Sequence, residues 1–236
     1  MTPSAPRPHR TWRTPALVVA ACCAALFAVL AVVVSGRHGA PFPLDESAHT
    51  WSVRHRPPVA LAAARAVTST GSGPIPYLCA VAAGLLAGRG VRQRLFTAAG
   101  TVAFLLVEQA ARYGVMRAVG RPRPPMADWA AHASVFAFPS GHTTTSAVVA
   151  GLLIWAVTRR GRTVPAYLLS ALLVCWAVAV GLSRVYLGVH WATDVLGGWL
   201  FAAAYLGFAS VLLRSGRRPG ATTAGRTEGT GRTPGT

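Results

Sequence analysis

The chain has 236 residues, 53% of them hydrophobic and only 12% charged, about half the charged fraction of a soluble domain. Its formal net charge is +17, and every basic residue is an arginine. An ordinary soluble globule is excluded by the first fact. A nucleic-acid partner is excluded by the placement of the arginines, which gather in short connections between apolar runs and not along one continuous basic face.

In chain order, residues 1–14 are rich in Arg, Pro and Thr without apolar periodicity, and they are expected to form a disordered cytoplasmic tail. The first apolar run, 15–35, follows Arg7, Arg10 and Arg13. Its apolar part, Ala16 to Val34, exceeds the roughly 7–15 residues of a signal-peptide core, which favours an uncleaved anchor. "PVALAAARAV" (58–67) reads as a short interfacial helix. Further apolar runs span about 69–88, 95–115, 142–158, 165–182 and 195–213. Each is at or slightly below the roughly 20 residues that cross a bilayer. The run at 69–88 is interrupted at its start by Gly71, Gly73, Pro74 and Pro76. The expected fold is all-α, a six-transmembrane-helix bundle over 15–213, with a second disordered cytoplasmic tail at 214–236. The four cysteines all fall within apolar runs, so neither a disulfide framework nor a thiolate metal site is implied.

Twelve arginines (Arg7, Arg10, Arg13, Arg89, Arg92, Arg94, Arg159, Arg160, Arg162, Arg214, Arg217 and Arg218) fall on one side if six helices alternate. The positive-inside rule makes that side cytoplasmic. A multi-pass protein of the cell membrane with both termini inside is expected, and three connections then face outward. Two of these, with the residues flanking them, carry Arg112, Arg117, Arg121, Arg123 and Arg184, on the side that should be poor in arginine. Guanidinium groups hold phosphate bidentately and stay charged, so an anion site is indicated. Between them, "PSGH" (139–142) precedes an apolar run; Ser140 has the chemistry of an N-cap. His190 and Asp194 stand four apart at the start of the last run, on one helical face. A carboxylate there can accept Nδ1–H and leave Nε2 free as nucleophile or base.

Together these residues resemble the type-2 phosphatidic acid phosphatase family, which shares its site with vanadium haloperoxidases and carries the motifs K-x6-R-P, P-S-G-H and S-R-x5-H-x3-D. The second motif stands intact as Pro139, Ser140, Gly141 and His142, and the third as Ser183, Arg184, His190 and Asp194. The first retains Arg123 and Pro124 but has Met116 in place of lysine. The resemblance implies a membrane phosphatase whose site lies at the outer membrane–water interface. It implies that His190 attacks phosphorus, that His142 protonates the leaving oxygen and later activates water, and that Asp194 orients His190. Arg123, Arg184 and the Ser140 and Gly141 amides would hold the phosphate. Neither metal nor cofactor is implied. The partner is a lipid phosphate or diphosphate in the bilayer, similar to phosphatidic acid or a polyprenyl diphosphate. A lipid phosphotransferase, or a catalytically silent lipid-binding or transport protein, is the alternative.

For the missing lysine contact, Arg117 is preferred to Arg112, which stands one turn deeper and pairs with Glu108 at i,i+4. Arg117 points about 100° away from Met116 on a helix, so it would need the helix to fray near Gly120. His38, His49, His55 and His132 match no motif and read as interfacial or loop residues. Asp45, Glu46, Asp128 and Glu228 read as scattered acids, and Trp129 as an interfacial anchor.

Overall fold

The computed structural model describes residues 13–133 and 136–215. The tails expected at 1–14 and 214–236, with Arg7, Arg10, Arg217 and Arg218, lie almost wholly outside the described residues. Those residues form eight α-helices: α1 (Arg13–Gly36), α2 (Pro43–Arg54), α3 (Pro58–Ser69), α4 (Ile75–Ala87), α5 (Val91–Val119), α6 (Gly141–Arg160), α7 (Val164–Tyr186) and α8 (Ala192–Ser215). No strand occurs among them, and a single 3₁₀ turn follows α5 at Met126–Asp128.

Four of the helices are long and apolar enough to cross a membrane: Pro15–Gly36 of α1, all of α6 and α7, and Ala192–Leu212 of α8. α4 has 13 residues, about 20 Å, which falls short of a hydrocarbon core of about 30 Å. The apolar run at 69–88 is therefore not one element. Ser69 ends α3, and the chain turns through Gly73 at φ 63° before Pro74 and Pro76 open α4. α5 has 29 residues, about 43 Å, but carries Glu108 and Arg112 along its length.

The segment 37–57, for which no element was expected, contains α2. Pro43 occupies its first turn with Asp45 and Glu46; a fixed φ at the start and acids near the positive helix end suit that position. α5 stops where Gly120 takes a left-handed conformation (φ 61°) and donates its N–H to Met116 O at 3.0 Å. The extended stretch Arg121–Pro124 follows directly.

One core cluster joins α4, α5, α6 and α8 through Ala80, Ala83, Ala87, Leu105, Val148, Val149, Leu152, Ala156 and Ala202. Small residues allow the backbones to approach, and at Gly84 a Cβ would collide with the backbone of Ala98. Thr101 Oγ1 donates to Ala80 O across the same α4–α5 contact at 2.7 Å, a form of interhelical bond suited to apolar surroundings. Elsewhere α1 packs along α8, and α7 along α6 and α3. Apolar side chains such as Val29, Val32, Leu168 and Leu172 point outward, as lipid-facing surfaces do.

Candidate active site

The starts of α6 and α8 are pressed together. At Gly197 a Cβ would meet the Phe138 ring at 2.5 Å, and at Gly198 one would meet Ser140 O at 3.1 Å, so glycine is required for this approach. Ser140 N–H then donates to the backbone carbonyl of Asp194 at 3.1 Å. This changes the reading of Ser140. It stands at the N-cap of α6, yet its hydroxyl caps no backbone amide; Oγ instead accepts from Thr143 Oγ1 at 2.9 Å. Ser140 is fully buried and its amide is occupied, so it braces the site and does not face the substrate side. Gly141 and His142, the first two residues of α6, do face it, and they present a helix N-terminus suited to an anion.

A cavity of about 360 Å³ opens beside them, lined by Gly141, His142, Arg112, Met116, Arg123, Arg184, His132 and His190, and also by Tyr77 and Gln109. Residues from both intact motifs and from the extended stretch after α5 thus meet in one space. His190 is 2% exposed. Its Nδ1 lies 3.3 Å from Asp194 Oδ2, and its Nε2 lies 2.8 Å from Arg123 Nη1. With Nδ1–H directed at the carboxylate, the Nε2 lone pair accepts from the guanidinium. Burial, with Arg123 and Arg184 nearby, holds His190 well below the ordinary imidazole value of 6.5. The ring is therefore neutral near neutrality and fit to act as a nucleophile. Arg123 also donates to Val189 O at 2.6 Å. Burial pushes its pKa down to about 10, still charged.

Arg184 is 2% exposed and donates Nη1–H to Thr68 Oγ1 at 2.9 Å. Its buried Nε finds no hydrogen-bond partner among the described residues. Arg117 departs from expectation. α5 does not fray, because Gly120 caps it, and Arg117 stays exposed with its guanidinium 5.0 Å from the Tyr113 ring centroid. Arg112 reaches the cavity instead. Its Nη1 lies 4.0 Å from Met116 Sδ, and a Cβ at Gly141 would stand only 3.0 Å from that same Nη1. The expected i,i+4 pair with Glu108 is present, with Nε 3.6 Å from Oε1; it holds the stem of Arg112 while Nη1 lies along the α6 start.

Two acids read as unrelated prove to be neighbours. Asp45 and Asp194 both contact Arg121, through Oδ2 at 2.7 Å and Oδ1 at 2.6 Å, and all three are fully buried. Arg121 therefore does not serve the anion cavity. No local pattern set it apart from Arg123, because residues two positions apart would share one side of an extended segment. Asp128 is paired as well, 2.9 Å from His49 Nε2. His132, in contrast, lines the cavity, although it matched no motif.

Known proteins resemble this chain in sequence and in fold. A family model described as the PAP2 superfamily matches residues 94–217. Decaprenylphosphoryl-5-phosphoribose phosphatase of Mycolicibacterium smegmatis is 35% identical over 144 residues, 60% of this chain and 72% of that protein. Phosphatidylglycerophosphatase B of Bacillus subtilis is 38% identical over 86 residues, covering 34% of this chain and only 40% of that relative's length. The fold matches the crystal structure of a transmembrane PAP2-type phosphatidylglycerolphosphate phosphatase from Bacillus subtilis with a TM-score of 0.67, at 23% identity, over 86% of this chain and 98% of that one.

Proposed function

This chain belongs to the PAP2 superfamily, and we propose that it is a metal-independent membrane phosphatase that hydrolyses a lipid phosphate or diphosphate through a phosphohistidine. The observation that carries the reading is the His190–Arg123 contact. It aims a neutral imidazole nitrogen into a cavity shared with His142 and two further arginines.

His190 Nε2 forms a bond to phosphorus as the bond from phosphorus to the leaving oxygen breaks. His142 gives that oxygen a proton. Asp194 accepts Nδ1–H and offsets the positive charge that the phosphorylated ring acquires. Next, His142 takes a proton from water, the hydroxide oxygen attacks phosphorus, and the P–N bond breaks to restore His190 and release phosphate. Arg112, Arg123, Arg184 and the Gly141 end of α6 balance charge on the equatorial oxygens in both steps. Arg112 takes the contact that the sequence had assigned to Arg117.

The substrate has a phosphate head small enough for the cavity and a lipid tail that stays in the bilayer. The activities for which the relatives are named, on a prenyl-linked and a glycerol-linked phosphate, both fit that description. α4 and α5 complete a six-helix bundle, with both termini cytoplasmic and the cavity at the outer interface. The arginines of the α4–α5 and α6–α7 connections support this orientation.

Phosphate release by detergent-purified protein tests the function, with phosphatidate, phosphatidylglycerophosphate and polyprenyl mono- and diphosphates as candidates. Turnover unaffected by EDTA and blocked by vanadate is expected. Loss in EDTA with recovery on adding magnesium would overturn the mechanism.

A further inference from the structure

Behind His190, away from the cavity, lies a closed polar network. Arg121 Nη1 donates to Asp194 Oδ1 at 2.6 Å and to Thr193 Oγ1 at 2.7 Å. Its Nη2 donates to Asp45 Oδ2 at 2.7 Å. Asp45 Oδ1 accepts the Thr193 backbone N–H at 2.8 Å, and the Thr193 hydroxyl reaches Oδ2 at 2.8 Å. Trp191 N–H donates to Asp194 Oδ2 at 2.9 Å, beside the contact of that same oxygen with His190. Asp45 belongs to α2, outside the residues that the family model matches.

Taking three charged groups out of water is costly unless each is paired and hydrogen-bonded, and here each is. Their sum is the informative quantity. Two carboxylates share one guanidinium, so the group carries one net negative charge directly behind the imidazole. Without Asp45, the charge of Arg121 would be spent on Asp194 alone. The pair would then be neutral and would stabilise a cationic ring much less.

We propose that Asp45 is a positioning residue for the reaction: acting through Arg121 and Thr193, it fixes the Asp194 carboxylate and keeps its negative charge available to His190. The proposal rests on His190 as the nucleophile. Asp45 touches neither substrate nor His190, so its whole influence passes through Asp194. A residue that only secures α2, for instance by accepting Phe42 N–H at 3.1 Å, would not act in this way.

The test is a double-mutant cycle on detergent-purified protein with one lipid phosphate: Asp45→Asn, Asp194→Asn and the double variant. Asp45→Asn is expected to lower kcat about 10- to 100-fold, the scale of losing an outer partner that orients a working imidazole, with KM changed less than about twofold. In the Asp194→Asn background the same change should cost less than about twofold more, because its route of action is already gone. Losses that multiply in full, or a loss carried by KM, would show that Asp45 only supports the fold and would overturn the proposal. Thr193→Val, which leaves every charge in place, decides the matter if Asp45→Asn does not fold. A fall in kcat that vanishes beside Asp194→Asn supports the proposal; an unchanged kcat overturns it. A wild-type protein that hydrolyses no lipid phosphate would sink the functional reading itself, an outcome distinct from all of these.

Discussion

Arg123 Nη1 stands 2.8 Å from His190 Nε2, so the nitrogen assigned to attack phosphorus is already hydrogen-bonded to the guanidinium assigned to receive the phosphate. In the proposed mechanism the two groups part when substrate enters, and the guanidinium passes from nitrogen to a phosphate oxygen. A lysine in that place keeps the charge but loses the fork that serves Val189 O and the anion together. Arg123→Lys should therefore lower kcat/KM roughly 10- to 100-fold, on the scale of one charge-assisted contact. Steady-state kinetics with a lipid phosphate checks this, and near-normal turnover would remove Arg123 from the site.

The two histidines should separate kinetically. His190→Ala should form no phosphoenzyme and show no turnover above background. His142→Ala should still accumulate acid-labile phosphoenzyme while turning over about 10²–10⁴-fold more slowly, the usual worth of general acid–base help. Brief incubation with 32P-labelled substrate and an alkaline SDS quench, which preserves a phosphohistidine, distinguishes them. Labelling that persists in His190→Ala would reassign the nucleophile.

Arg112 and Arg117 offer a direct comparison. Arg112→Ala removes a cavity guanidinium and should cost about 1.5–3 kcal/mol in kcat/KM. Arg117→Ala removes an exposed group resting on Tyr113 and should fall within about 0.5 kcal/mol of wild type. Met116→Lys should recover part of the activity lost in Arg112→Ala, because Met116 lies against that guanidinium. The opposite ranking of the two alanine variants would return the contact to Arg117.

The titration of the His190 ring should lie low. Burial and the neighbouring arginines depress His190 below 6.5, so its neutral, nucleophilic form persists as pH falls through 6.5 and is lost only in more acid solution. 15N NMR of the His190 ring should show a neutral imidazole at pH 6.5. Arg123→Gln removes a positive neighbour and should move that titration upward. A ring already protonated at pH 6.5 in wild type would contradict the environment described.

Topology can be read chemically. Met126 and Val91 are both 76% exposed; Val91 opens α5 and Met126 follows its other end. In a variant without the four native cysteines, Met126→Cys should react with an impermeant maleimide in intact cells, whereas Val91→Cys should not. The reverse pattern would place the cavity on the cytoplasmic side.

Much of the site was legible because its parts are local. P-S-G-H lies at the start of α6, whereas S-R-x5-H-x3-D runs from the end of α7 to the start of α8; His190 stands in the connection before α8, so it meets Asp194 without sharing a helical face with it. What was not legible depends on helix phase or on distant pairing. Choosing between Arg112 and Arg117 required knowing that α5 stays intact up to Gly120. Asp45 meets Thr193 across 148 residues, and no local pattern announces such a partner. Arg121 looked like one more phosphate arginine, and only its buried contacts with Asp45 and Asp194 tell it apart from Arg123. The run at 69–88 looked like a span because composition counts apolar residues, whereas Gly73 and Pro74 decide where a helix can begin.

The bond from Ser140 N–H to the Asp194 carbonyl also bears on breadth of substrate choice. It ties the start of α6, which carries His142, to Asp194 at the start of α8. The same cavity is also lined by Gly71, Ser72 and Gly73 of the α3–α4 connection, so a change in that short turn would reshape the cavity without touching the bond that joins the two helix starts.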